Sequence, residues 1–264
     1  LSFFFGLVSI LSFFNIIYSY YLNLYLNLDT YYLSFFCSLV ISILFYNLKF
    51  EQKRLTIFNK ILTVFVGYIF IPLVLSIPFY FSIYNLTLIN SFFEAISGFT
   101  STGFTIFDNI KHIDQSLILW RSSTQWIGGL YFLFSIIFLI DIYDENFKKT
   151  LTNFISFDSS EIFKQAIKIF LLYSVLTLII FIILNIFSIR TFDSLNLSFS
   201  LISSGGFLPV NDLSIILKEN SQVIITSLLM LTSFFSIFFS YNLVFFKKRN
   251  INFFYEDLHL IIYF

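Results

Sequence analysis

Six apolar stretches constrain this chain before anything else does. Residues 1–21, 31–48, 61–84, 116–140, 166–189 and 221–246 each approach the roughly 20 apolar residues that a helix needs to cross a bilayer. The composition around them agrees: 11% of the residues are charged, where a soluble domain carries about 25%, and mean hydropathy is +0.89. Lipid offers no partner for backbone N–H and C=O groups, so apolar segments of this length must satisfy their own as helices. The expected fold class is therefore all-α, a polytopic membrane protein.

The charges orient the spans. Lys49, Lys53, Arg54 and Lys60 lie between the second and third stretches, Lys148, Lys149, Lys164 and Lys168 between the fourth and fifth, and Lys247, Lys248 and Arg249 after the sixth. Eleven of the fifteen basic residues thus fall on one side of a six-span arrangement. The positive-inside rule makes that side cytoplasmic. The expectation is a multi-pass protein of the plasma membrane, the inner membrane in a bacterium, with both ends of this segment in the cytoplasm. Zero formal net charge gives no sign of a nucleic-acid partner. A single cysteine, Cys37, excludes an internal disulfide and any CxxC metal or redox motif. The first two stretches form a hairpin, and Pro72 and Pro78 are read as tolerated kinks in the third.

Segments 85–115 and 190–220 are then both external, yet each pairs an apolar run too short to span with glycine. Four of the eight glycines sit there, Gly98, Gly103, Gly205 and Gly206. Irregular backbone at membrane depth survives only where it lines a wet cavity or is buried in protein, so both segments are candidates for re-entry. A shift of 103 residues aligns SFFEAISGFTSTGF (91–104) with SLNLSFSLISSGGF (194–207) without a gap, and brings Asp108-Asn109 opposite Asn211-Asp212. Such self-similarity decides architecture ahead of local detail. The chain divides into an amino-terminal hairpin (1–50), a helix–pore loop–helix unit (57–140), a cytoplasmic linker (141–165) and a second such unit (166–246), with the units set around a central ion pathway.

Ser91 and Glu94 have the spacing of a capping box, which predicts a short helix starting at Ser91 and ending near Ser97-Gly98. Its carbonyl end carries roughly half a negative charge and favours a cation. The turns that follow supply backbone carbonyls able to replace a cation's water shell. The candidate ligands are Thr100, Ser101, Thr102, Gly103 and Phe104 in the first copy, and Ser203, Ser204, Gly205, Gly206 and Phe207 in the second, mainly through their carbonyls. No carboxylate lies inside either turn, so neutral dipoles would do the coordinating. The bland alternative, two flexible external turns, has to explain two ungapped copies between spans.

Other residues take ordinary readings. Glu94 reads as a helix cap, and Asp108, Lys111, His112 and Asp114 as a solvated rim. Trp120 with Arg121 fits an interfacial position, while Gln125 and Trp126 pack against the pore loop and Gly128-Gly129 marks close helix packing. Asn185 and Asn242 read as packing contacts. HExxH, GxSxG and glycine-rich phosphate loops are all missing, and both histidines lie outside the spans, so the chain reads as a non-enzyme without a cofactor.

The strings GFTSTGFT (98–105), LILWRSSTQWIGG (117–129) and ISSGGFLPVND (202–212) resemble, in that order, the Trk/Ktr/HKT superfamily of potassium transporters, most closely its TrkH/TrkG branch. The resemblance implies four span–pore–span units around one pathway, each giving one filter strand, with Gly103 and Gly206 as the filter glycines of the first two. It implies potassium as the transported ion, membrane lipid as surroundings, a homodimer, and a cytosolic nucleotide-binding regulatory subunit (TrkA-like). On that reading 247–264 is the cytoplasmic start of a third unit, and the 264 residues are either the amino-terminal half of a transporter subunit, the favoured reading, or a chain that pairs with a second copy to complete the pore. Phe104 stands where many relatives carry a smaller residue, which leaves sodium or mixed-cation conduction open. A non-conducting membrane scaffold is the remaining alternative.

Overall fold

The computed structural model describes residues 1–47, 57–139 and 159–234. Among these, every regular element is helical: α1 (Ser2–Tyr21), α2 (Leu28–Asn47), α3 (Ile57–Leu75), α4 (Ile77–Tyr80), α5 (Leu88–Phe99), α6 (Gln115–Leu139), α7 (Ser159–Ile186), α8 (Thr191–Ile202) and α9 (Asn220–Phe234), with 3-10 turns at Ile110–His112 and Leu213–Ile215. The linker 141–158, the segment 247–264, Asn242 and the basic clusters at 148–149 and 247–249 lie outside the described residues.

Among the described residues four helices are long and apolar enough to cross a membrane: Ser2–Tyr21, Leu28–Asn47, Phe58–Tyr80 and Ala166–Ile186. Their outer faces are rows of exposed apolar side chains such as Phe13, Phe14 and Ile17 on α1 and Leu171, Val175, Leu178 and Ile182 on α7, as lipid-facing surfaces require. The expected span at 116–140 does not meet that standard, and the one at 221–246 runs beyond the described residues. Helix α6 is long enough, at 25 residues, but carries a polar run, Arg121 to Gln125. It is buried without interruption from Ser116 to Tyr131. A helix enclosed by other helices has no need to be apolar all round. Helix α9 is described only as far as Phe234.

Helices α1 and α2 form the expected hairpin, joined by small hydroxyls: Ser12 donates to Ser34 at 3.1 Å and Ser2 to the Ser42 carbonyl at 2.9 Å. Such close polar contacts are the usual adhesive between membrane helices. The hairpin grips the start of α6, where Asn15 donates to the Ser116 carbonyl and the Tyr31 hydroxyl meets the Ser116 hydroxyl. Helix α3 passes through Pro72 and breaks at Ser76, just before Pro78. The Trp120 indole donates to the Leu75 carbonyl at that break, 3.0 Å away. This corrects the interfacial reading of Trp120, which is fully buried.

The 103-residue offset recurs in the backbone. Helix α5 spans 88–99 and α8 spans 191–202; the 3-10 turns at 110–112 and 213–215 keep the same shift. Left-handed backbone at Asn85 (φ 52°) and Ser101 (φ 56°) has counterparts at Ser188 (φ 60°) and Ser204 (φ 54°). The turns, not only the helices, repeat.

The start of α5 differs from expectation. Thr87 is the N-cap, accepting from the Asn90 N–H, and Ser91 is a buried residue of the helix interior. The capping-box reading of Ser91 and Glu94 is therefore wrong: a better cap four residues upstream starts the helix earlier.

Candidate functional site

Helices α5 and α8 end in the same way. Ser101 N–H donates to the Gly98 carbonyl and Thr102 N–H to the Ser97 carbonyl; in the second copy Ser204 N–H donates to Leu201 and Gly205 N–H to Ser200. These paired bonds around a left-handed residue are a Schellman closure. They stop each helix sharply and leave its carbonyl end leading straight into the candidate turn. Glycine is the usual occupant of the left-handed position, because a side chain there crowds the backbone. Both copies hold serine instead.

The two turns meet at their glycines. A Cβ on Gly103 would lie 2.6 Å from the Gly206 Cα, so any side chain there would drive the strands apart. Gly103 also has φ +79°, a conformation rarely open to other residues. The loops beyond are tied across the repeat: Asn211 accepts from the Ile110 N–H at 2.8 Å and donates to the Asn109 side chain at 3.1 Å.

Helix α6 lies behind both turns and fits each through a glycine. A Cβ on Gly128 would strike the Phe99 carbonyl at the end of α5. One on Gly129 would lie 2.7 Å from the Ser203 Cβ at the end of α8. Gln125 reaches the second turn. In the orientation that satisfies both ends of its amide, its oxygen accepts from the Gly206 and Phe207 N–H groups at 2.9 Å each, and its nitrogen donates to the Ser200 hydroxyl at 3.1 Å. A trans peptide sets each carbonyl opposite the following N–H, so the Gly205 and Gly206 carbonyls point away from Gln125. Trp126 packs on Phe199 of α8 and donates to Thr177 of α7.

The candidate side chains are placed unequally. Thr100, Thr102 and Phe104 are exposed, and Ser101 and Gly103 are half-buried; Ser204 and Gly206 are exposed and Gly205 half-buried. Ser203 is buried, with its hydroxyl spent on the Phe199 and Ser200 carbonyls of its own helix. The Thr100 hydroxyl bonds back to the Ile96 carbonyl and meets the Thr102 hydroxyl at 2.8 Å. Phe207 is buried and Phe104 is not.

One constellation was missed by sequence reasoning. Arg121 Nε lies 2.8 Å from Glu94 Oε1, and both side chains are almost wholly buried, at 1% and 0% exposure. Arg121 therefore does not sit at the interface, and Glu94 is no cap. The Glu94 carboxylate also accepts from the Thr105 hydroxyl at 3.0 Å and the Ile106 N–H at 3.1 Å, just beyond the first turn. The available signal was an acid and a base inside apolar segments, since such groups persist there chiefly as pairs. Outside the spans, Tyr84 accepts from the Asp114 N–H at 2.6 Å and donates to the His112 carbonyl; partial burial raises its phenol above the ordinary value. Among the described residues no group of three or more His, Cys, Asp or Glu side chains could hold a metal.

No protein-family profile matches the chain. It is 23% identical over 190 residues to an uncharacterized cation transporter of Methanocaldococcus jannaschii, a match covering 68% of this chain and 38% of that protein. It is 28% identical over 182 residues to the Trk system potassium uptake protein TrkH of Salmonella typhimurium, covering 66% of this chain and 38% of the relative. A short stretch of 60 residues is 42% identical to TrkI of Halomonas elongata, and covers 11% of that protein. The crystal structure of the potassium transporter TrkH from Vibrio parahaemolyticus superposes with a TM-score of 0.70 at 19% identity, over 86% of this chain and 47% of that one. The chain thus spans less than half the length of the relatives it matches. About two-thirds of this polytopic membrane protein is thus similar in sequence to Trk-system potassium uptake proteins, and its fold is like that of TrkH.

Proposed function

We propose that this chain takes part in potassium uptake across the plasma membrane, and that residues 100–104 and 203–207 are two strands of its ion filter. The observation that carries this reading is the meeting of the two turns at Gly103 and Gly206, each directly after the carbonyl end of a short helix. Helix carbonyl ends favour a cation, and carbonyls held by a rigid scaffold can replace its water shell. The bonds from Gly206 and Phe207 N–H to Gln125 leave carbonyls, and not N–H groups, free on the opposite side of the second strand.

On this reading residues 57–140 and 166–246 are two pore units, 1–50 a supporting hairpin, 141–165 a cytoplasmic linker and 247–264 the approach to a third unit. Two strands do not close a ring, so further units must complete the filter, and the 264 residues act as the amino-terminal half of a subunit. A second subunit and a cytosolic nucleotide-binding regulator belong to the same proposal. The role is transport and not catalysis.

The test is growth and rubidium uptake at limiting potassium, in cells stripped of their own uptake systems and expressing the full-length protein. Gly103→Asp and Gly206→Asp place a side chain and a charge where the strands touch. Both should abolish uptake while inserting normally. Uptake by correctly inserted glycine variants at the parent's rate would remove the filter from these turns.

A further inference from the structure

We propose that the Glu94–Arg121 pair is a shared brace that sets the position of both filter strands, and thereby the protein's preference for potassium over sodium. The inference rests on the filter reading of the two turns and adds a positioning role for residues that touch no ion.

The geometry reaches both strands from one point. On the first side, the Glu94 carboxylate holds the Thr105 hydroxyl and the Ile106 N–H. On the second, the Arg121 guanidinium lies over the Phe207 ring, 4.3 Å from its centroid, and Nη1 makes a long bond of 3.4 Å to the Leu208 carbonyl. Thr105 and Leu208 are counterparts under the 103-residue shift. A single ion pair therefore fixes equivalent positions in two strands whose glycines are in contact. Phe107 adds a second ring, 5.6 Å from the guanidinium.

Energetics favours a positional role over a stabilising one. Two charges removed from water are costly, and a buried pair often contributes no more stability than well-packed apolar residues of the same size. What apolar residues cannot supply is direction. The carboxylate fixes two donors of one strand, while the planar guanidinium fixes a ring face and a carbonyl of the other. Potassium selectivity in a carbonyl-lined filter depends on the spacing or field strength of its carbonyls, so a brace that sets strand position sets selectivity.

Arg121→Lys keeps the charge and its reach to Glu94, but loses the planar fork and the stacking on Phe207. Thr105→Val removes the hydroxyl that donates to Glu94 and accepts from the Phe107 N–H, and leaves the ion pair intact. Both are made in the full-length protein and read in two ways: sodium competition against rubidium uptake, and the thermal unfolding midpoint of the purified protein in potassium against sodium. The parent should unfold at a higher temperature in potassium. In Arg121→Lys the preference for potassium should fall roughly fivefold, the lower range for coupled sites, with a smaller fall in the same direction for Thr105→Val. A merely structural pair would lower unfolding temperature equally in both salts. Unchanged preference in both inserted variants overturns the proposal, and if Arg121→Lys does not insert, Thr105→Val decides by the same criterion. A parent that takes up no rubidium removes the transport reading, and this inference with it, whereas a parent that takes up rubidium without preferring potassium overturns the selectivity proposal alone.

Discussion

The two turns share one backbone and live in different surroundings. Their helix closures and left-handed serines match at a constant shift, and they part at the glycines, where Gly103 has positive φ and Gly206 does not. Their supports differ as well. The first strand is held by its own unit: the Ser97 hydroxyl donates to the Phe104 carbonyl at 2.6 Å, and Glu94 holds the residues that follow. The second strand is held by the unit before it. Gln125 and Arg121, both from α6, fix its N–H groups, its aromatic ring and its Leu208 carbonyl. Ser200, the counterpart of Ser97, no longer bonds its own strand and instead accepts from Gln125. A repeat thus preserves the turn, while the neighbour on one side decides how the turn is fastened.

The aromatic residues that close the two turns show this most sharply, and they give the largest predicted difference. Phe207 is 1% exposed and lies under Arg121; Phe104, in the matching position, is 68% exposed. Phe207→Ala opens a cavity and strips a cation–π contact from a desolvated guanidinium, at about 3 kcal/mol. Phe104→Ala removes a ring that nothing among the described residues covers, and should cost within about 0.5 kcal/mol. The comparison is read from unfolding of the purified protein in detergent. Equal losses at both positions would mean that a further element covers Phe104 as thoroughly as α6 covers Phe207.

A middle-sized effect isolates the fastening itself. Gln125→Leu keeps most of the side-chain volume in the gap behind Gly205 but removes the acceptor for the Gly206 and Phe207 N–H groups. Unmade bonds of this kind cost about 1–3 kcal/mol. The damage should be confined to the second strand, so the Gly206 and Phe207 amides should lose protection from hydrogen exchange while Gly103 and Phe104 keep theirs. Loss of protection in both strands would show that the glycine contact carries the disturbance across.

Much of the fold was legible from the sequence because it depends on properties that are local in the chain. Apolar length marks α1, α2, α3 and α7, and the small residues at 100–104 and 203–207 give away the repeated turns. The supports were hidden because they depend on contacts far apart in sequence. Glu94 and Arg121 are separated by 27 residues and a loop, and Ser91-x-x-Glu imitates a capping box so well that the acid had a sufficient local explanation. The polar run of α6 was masked in the same way. Its apolar residues are numerous enough to suggest a lipid-facing span, whereas the structure surrounds it with α1, α5 and α8. Phe104 and Phe207 are the limiting case. Identical residues in aligned strings carry no sign that one lies under a cation and the other stands open.

The smallest effect should be the same in both copies, which makes it the best control on the comparison. Ser101 and Ser204 have φ of 56° and 54°, a region that costs an L-residue about 1 kcal/mol or more relative to glycine. Neither hydroxyl makes a hydrogen bond among the described residues, so the fold gains nothing visible from them. Replacing each with glycine removes the backbone strain but gives the unfolded chain more freedom. The net gain should be about 0.5 kcal/mol for each. Ser101 is half-buried and Ser204 exposed, yet the strain is a property of the backbone, so the two variants should be stabilised alike where Phe104→Ala and Phe207→Ala are not. Strain kept at matched positions where glycine would relieve it points to function and not to folding. The same two variants should therefore lose rubidium uptake as they gain stability, and unchanged uptake in both would leave the serines as tolerated residues of an ordinary helix end.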